Sequence, residues 1–89
     1  FDVESALIEH PAVLESAVVG KPDAERGHIV KAFVVLAEGH APSDALAEEL
    51  RLHVRERLGA HAYPREVAFP EALPKTPSGK IQRFLLRER

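Results

Sequence analysis

The run HIVKAFVVLAEG, residues 28–39, restricts the fold more than any other part of the chain. It is rich in β-branched and aromatic residues, which suit a pleated and packed surface. It is also too long to be the tip of a turn, so it reads as a central strand. Before it, AVLESAVVG alternates Val13, Ala17 and Val19 with Leu14, Ser16 and Val18. That pattern predicts a strand partly buried on both faces. Between the two runs, KPDAERGH supplies Pro22, Asp23 and Gly27, the punctuation of a turn or a longer hairpin loop.

Helical spacing appears on either side of this pair. FDVESALIEHP sets Val3, Ala6, Leu7 and His10 at a helical period, and Pro11 stops it. PSDALAEELRLHVRERLG predicts one full helix. Ser43 is its N-cap, Asp44 lies in the first turn, Leu46, Leu50, Val54 and Leu58 form an apolar stripe, and Gly59 marks its end. REVAFPEAL follows as a short third strand with Val67 and Phe69 on one face, and QRFLLRER as a last helical turn or two. The order is α-β-β-α-β-loop-α. Two hairpin strands and a helix crossing back to a third strand give an α+β fold, a small three-stranded sheet with helices packed on it.

Composition narrows the function classes. Eighty-nine residues suffice for one small domain with a modest core, with little room for a deep cavity. Absence of cysteine excludes a disulfide framework, a thiolate zinc site and a thiol nucleophile, and it fits a reducing cytoplasm. A net charge of −2 does not suit a nucleic-acid binder as a whole, and no apolar run is long enough to span a bilayer. Residues 74–89 nevertheless carry Lys75, Lys80, Arg83, Arg87 and Arg89 against Glu88 alone, a local positive patch. The chain opens at FDVESALIEH without Met, so it reads as part of a longer polypeptide.

Candidate chemistry concentrates in LPKTPSGKIQR, residues 73–83. A nucleotide P-loop needs Gly, four residues, then Gly-Lys-Ser/Thr. Here Pro74 stands at the first Gly and Ile81 at the hydroxyl, so the motif is not one. The histidines His10, His28, His40, His53 and His61 lack metal-ligand spacing, and Ser5, Ser16, Ser43 and Ser78 lack a nucleophile-elbow context. Glu48 and Arg51 are spaced to pair along the helix. Two readings stand for Lys80: a solvated lysine in a Pro/Gly loop, or a compact charge on a long stem that reaches into a neighbouring site.

FDVESALIEHPAVLESAVVGKPDAERGHIVKAFVVL, YPREVAF and LPKTPSGKIQRFLLRER together resemble the C-terminal domain of the AMP-forming acyl-activating enzymes. These are the acyl- and aryl-CoA synthetases, with luciferases and nonribosomal-peptide adenylation domains as relatives. The likeness runs along essentially the whole chain, and PKTPSGK followed by IQR is similar to the family's last core motif. It implies that residues 1–89 form a single C-terminal lid domain whose hinge and large N-terminal domain lie upstream. It further implies a ligase that uses ATP and CoA as substrates, activating a carboxylic acid as acyl-adenylate and then passing it to CoA, with Mg2+ held by the N-terminal domain.

By the same resemblance Lys80 is the adenylation lysine, with Ser78 and Gly79 letting its loop lie close to the nucleotide and Arg83 and Arg87 anchoring the loop or domain interface. Arg26, Arg55, Tyr63, Pro64 and Arg65 are implied as CoA contacts; as residues they equally suit turn solvation, a helix-face charge and core packing. The likeness leans toward medium-chain or aromatic acids, and it implies a lysine acetyltransferase and deacetylase acting on Lys80. A regulatory or protein-interaction module and an adenylation domain that serves a carrier-protein pantetheine are the other functions the residues admit.

Overall fold

The structure, a computed structural model, describes residues 2–25, 27–59 and 63–86. Helix α1 (Asp2–Ile8) leads into β1 (Val13–Asp23), which pairs antiparallel with β2 (Gly27–Leu36). Helix α2 (Asp44–Leu58) then crosses to β3 (Glu66–Ala68), which lies parallel to β2, and α3 (Arg83–Leu86) ends the described chain. The sheet order is β1-β2-β3, so the apolar run 28–39 does supply the central strand. The parallel pair follows from the crossover, since a strand that returns through a helix runs in the direction of the first.

Each face of β2 feeds a different core. Ala32 and Val34 pack with Ala6 and Leu7 of α1 and Leu50 and Val54 of α2. Phe33 and Val35 pack on the other side with Ala17, Val19, Leu73 and Leu86. The period of two thus sends alternate residues to two buried layers, which is why the run is apolar throughout. α1 and α2 cover one face, and the segment from Leu73 to Leu86 covers the other.

In β1 the expected alternation fails at its start. Val13 joins the α1/α2 core whereas Ala17 and Val19 face the opposite layer. The register shifts between Val13 and Glu15, and one extra residue reverses the parity of everything before it. Leu14, displaced by this bulge, is exposed. The hairpin is also tighter than predicted. Pairing continues through Pro22↔His28 and Asp23↔Gly27, so the strands consume most of KPDAERGH. Pro22 is tolerated because β1 is an edge strand.

α2 begins where its cap predicts. The Ser43 hydroxyl accepts the Leu46 N–H at 3.0 Å, and Arg55 and Arg57 sit in the last turn, where the helix dipole favours cations. Gly59 ends it at φ 95°, a left-handed conformation that suits glycine. Glu48 and Arg51 do pair on its exposed side. His10 is held rather than free: its Nδ1 accepts the Ala12 N–H at 3.1 Å and its Nε2 lies 2.5 Å from Glu49. His53 Nε2 donates to the Ala6 carbonyl at 2.7 Å, so both rings tie α1 to the chain packed against it. No helix among the described residues is long and apolar enough to cross a membrane.

Candidate functional site

The residues singled out in the sequence fall into two sets. The first is the loop of residues 74–82, which folds back on itself. Lys75 and Ile81 form an antiparallel bridge, and the Gln82 N–H donates to the Pro74 carbonyl at 2.8 Å. Inside this neck, the Thr76 N–H donates to the Lys80 carbonyl at 2.8 Å and the Gly79 N–H to the Thr76 carbonyl at 2.9 Å. The Lys80 N–H donates to Thr76 Oγ1 at 3.1 Å, and the Thr76 and Ser78 hydroxyls lie 2.9 Å apart. Gly79 makes the reversal at φ 89°, where a side chain would be strained although nothing within 4 Å would obstruct it.

Lys80 therefore stands on a small braced hairpin with its side chain exposed. Lys75, five residues earlier, is ion-paired with Glu15 of β1, whereas no carboxylate among the described residues pairs with Lys80. The far leg runs into Arg83. Its Nε donates to Glu4 Oε2 at 2.7 Å, and its Nη2 donates to Glu4 Oε1, a two-pronged pair. Glu4 also accepts the backbone N–H of Val18 at 2.7 Å. Burial pushes the Glu4 carboxyl up, but the Arg83 hydrogen bond, the Val18 N–H and the Arg83 charge outweigh it and hold it below the usual range. Arg83 is correspondingly pushed up by its bond to Glu4, against the opposing effect of burial.

The second set gathers along the C-terminal half of α2 and the turn at Tyr63–Arg65. Tyr63 carries two guanidinium groups on its ring, Arg55 at 6.0 Å and Arg65 at 5.8 Å from the centroid. Pro64 is fully buried, and the Arg65 N–H donates to the Val30 carbonyl at 2.9 Å, which fixes this turn to the central strand. Arg51 belongs here too, although the sequence pointed only to its pairing with Glu48. The Glu48 hydrogen bond pushes its guanidinium up, and Tyr63 adds to the effect. Among the described residues its Nε is a buried donor without a partner. The outcome is a polycationic cluster built on one aromatic ring. Arg26, Arg87 and His61 lie outside the described residues. Among those described, no group of three or more His, Cys, Asp or Glu side chains is placed to hold a metal ion.

A model of the AMP-binding enzyme C-terminal domain matches residues 2–80. The chain belongs to that family. Acetyl-coenzyme A synthetase of Bacillus subtilis is 59% identical over 98% of this chain, which spans 15% of that protein. The crystal structure of a Brucella canis acyl-CoA synthetase superposes with a TM-score of 0.96 at 67% identity, covering 99% of this chain and 16% of that one. A benzoate CoA ligase from Burkholderia xenovorans gives 0.90 at 53% identity, over 97% of this chain and 17% of that one. This C-terminal domain thus accounts for about a sixth of the length of the relatives it matches. Its α+β architecture is the one the resemblance implied.

Proposed function

We propose that these residues are the lid of an AMP-forming carboxylic acid–CoA ligase, and that Lys80 is its adenylation lysine. In the first half-reaction a carboxylate oxygen attacks the α-phosphorus of ATP, and pyrophosphate leaves as the acyl-adenylate forms. In the second, the CoA sulfur attacks the acyl carbon, its proton is lost, and AMP leaves. The first step brings two anions together, which is costly once water is excluded. An ammonium set between them offsets that repulsion and stabilises the charge of the transition state. The observation that carries this reading is the exposed Lys80 side chain on a hairpin whose backbone is braced by Thr76.

On this reading ATP, the acid and Mg2+ are held by a larger domain outside these 89 residues, and no residue of this chain is assigned to the metal. The family match and the length of the relatives support that division. Arg55, Tyr63 and Arg65 are proposed to meet the phosphates and adenine of CoA, and their convergence on one ring supports it. Arg26 keeps the same proposed role. The acid is proposed to be medium-chain or aromatic, supported by the likeness to a benzoate CoA ligase. Acetate, the acid named in a 59% identical relative, is its direct competitor in a substrate screen. Acetylation of Lys80 by an acetyltransferase would remove the charge and silence the first step.

The test is Lys80→Ala in the full-length protein, with the two half-reactions measured separately. Acid-dependent pyrophosphate release should fall by roughly a hundredfold or more, while thioester formation from supplied acyl-adenylate stays within about threefold. Equal loss in both half-reactions contradicts the role given to Lys80. A thioester made only on a carrier-protein pantetheine, with none on CoA, would replace the acceptor and leave the first step intact.

A further inference from the structure

Glu4 and Arg83 are separated by 79 positions and sit on opposite layers of the sheet. Glu4 lies on α1, in the layer that covers one face, and Arg83 opens α3, in the layer that covers the other. They meet around the edge strand β1. There the Glu4 carboxylate takes both Arg83 donors and the Val18 N–H, and the Ser16 hydroxyl donates to the Glu4 carbonyl at 3.1 Å. An edge N–H that the sheet cannot pair is thereby satisfied. The Glu4 side chain is only 13% exposed, against 39% for Arg83, so the acid is the fixed member and the arginine is drawn to it.

Arg83 is three residues beyond Lys80, on the far leg of the hairpin. The near leg is held by the Lys75–Glu15 ion pair, again to β1. Both legs of the loop thus end on carboxylates of the α1–β1 unit, one on each side of the hairpin neck. The α1–β1 unit is rigid, being built into the core through Ala6, Leu7, Ala17 and Val19. The tip of the loop contributes no apolar burial of its own, since residues 77–80 are all exposed, and only Ile81 on its far leg packs against the core of Leu73 and Leu86. Hydrogen bonds inside the loop fix its shape, but they do not fix where that shape sits on the domain.

We infer that Glu4 and Arg83 are positioning residues for Lys80: the bidentate pair sets the height and tilt of the loop on the domain, and with them where the ammonium arrives. The inference rests on the adenylation role proposed for Lys80. Neither Glu4 nor Arg83 acts on substrate. Each acts through the loop, as a displacement of about 1 Å at a reacting group costs up to a hundredfold in rate.

The experiment compares Glu4→Gln, Arg83→Gln, Arg83→Lys and Lys80→Ala in the full-length protein. Glu4→Gln keeps an oxygen for the Val18 N–H, so the edge stays satisfied while the charge pair is lost. Acid-dependent pyrophosphate release should fall roughly ten- to a hundredfold in Glu4→Gln and Arg83→Gln. Thioester formation from supplied acyl-adenylate should stay within about threefold, and KM for ATP should change less than kcat. Arg83→Lys retains charge without the fork and should recover part of the loss. Equal loss in both half-reactions would mark the pair as merely structural, and no loss in either would remove its positioning role. If Lys80→Ala is selective and the pair variants are not, only the positioning role falls. If Lys80→Ala itself spares adenylate formation, the role of the lysine and the inference built on it fall together.

Discussion

Thr76 grips the backbone of Lys80 from both directions. Its N–H donates to the Lys80 carbonyl at 2.8 Å, and its hydroxyl accepts the Lys80 N–H at 3.1 Å. Five residues thereby close into a ring that presents the lysine at its rim. Thr76→Val keeps the shape and the backbone bond but deletes the acceptor and the contact with the Ser78 hydroxyl. A neutral hydrogen bond of this kind contributes about 1 kcal/mol. The expected outcome is a fall of roughly fivefold in adenylate formation, with faster amide hydrogen exchange at Lys80. Thr76→Ser should behave as wild type, and an unchanged exchange rate in Thr76→Val would remove the hydroxyl from the account of the loop.

The cluster on Tyr63 makes a separable claim about the second half-reaction. Arg55 lies on the exposed surface of α2, so its removal disturbs no core contact. A charged contact to a phosphate that is lost on truncation corresponds to about tenfold in affinity, or about 1.4 kcal/mol. Arg55→Ala should therefore raise KM for CoA by roughly tenfold and leave acid-dependent pyrophosphate release unchanged. Steady-state kinetics with CoA and with dephospho-CoA will check it. If both acceptors respond equally, Arg55 does not meet the ribose phosphate that distinguishes them.

What could be read in the sequence was whatever local periodicity encodes. The central strand, the Ser43 cap and the Leu46–Leu50–Val54–Leu58 stripe each depend on neighbours a few residues away, and they appear where expected. The bulge before Glu15 escaped because an inserted residue leaves no trace in composition, yet it reverses the side of Val13. Glu4 escaped for a different reason. A carboxylate near a helix start reads as a dipole match, and nothing local announces a partner 79 positions away. Arg51 was readable only as half of a helix-face pair, because Tyr63 reaches it through the fold. Lys80 stood out by its motif, whereas the groups that aim it did not.

Leu50 of α2 sits at the centre of the larger core with no exposed surface, in one cluster with residues of α1 and β2. Truncation there removes buried methyl groups and leaves a cavity that backbone elements on both sides cannot close. Leu50→Ala should destabilise the domain by about 2–5 kcal/mol. Leu52, two positions on and exposed, should tolerate the same change within about 0.5 kcal/mol. Denaturant unfolding of both variants checks the contrast, and similar midpoints would show that the α2 stripe is not the packed face.

Acid stability follows, among the described residues, from two carboxylates held below their ordinary range, Glu4 and Glu66. Glu4 is lowered because Arg83 and the Val18 N–H outweigh its burial, and Glu66 chiefly because Lys21 donates to it at 3.0 and 3.2 Å. In the unfolded chain both groups return to the ordinary pH of carboxylate titration. A depressed folded value means that the unfolded state binds protons first, so the contribution is complete above that pH and is lost as pH falls through the folded values. Glu4 is the more enclosed of the two, so its share resists solvent screening better than that of Glu66, whose side chain is 40% exposed. Melting temperature measured from pH 6 down to pH 2 should therefore drop more gently in Glu4→Gln than in wild type, with little difference in slope for Glu66→Gln. A wild-type slope retained in Glu4→Gln would mean that the Arg83 pair does not persist in solution.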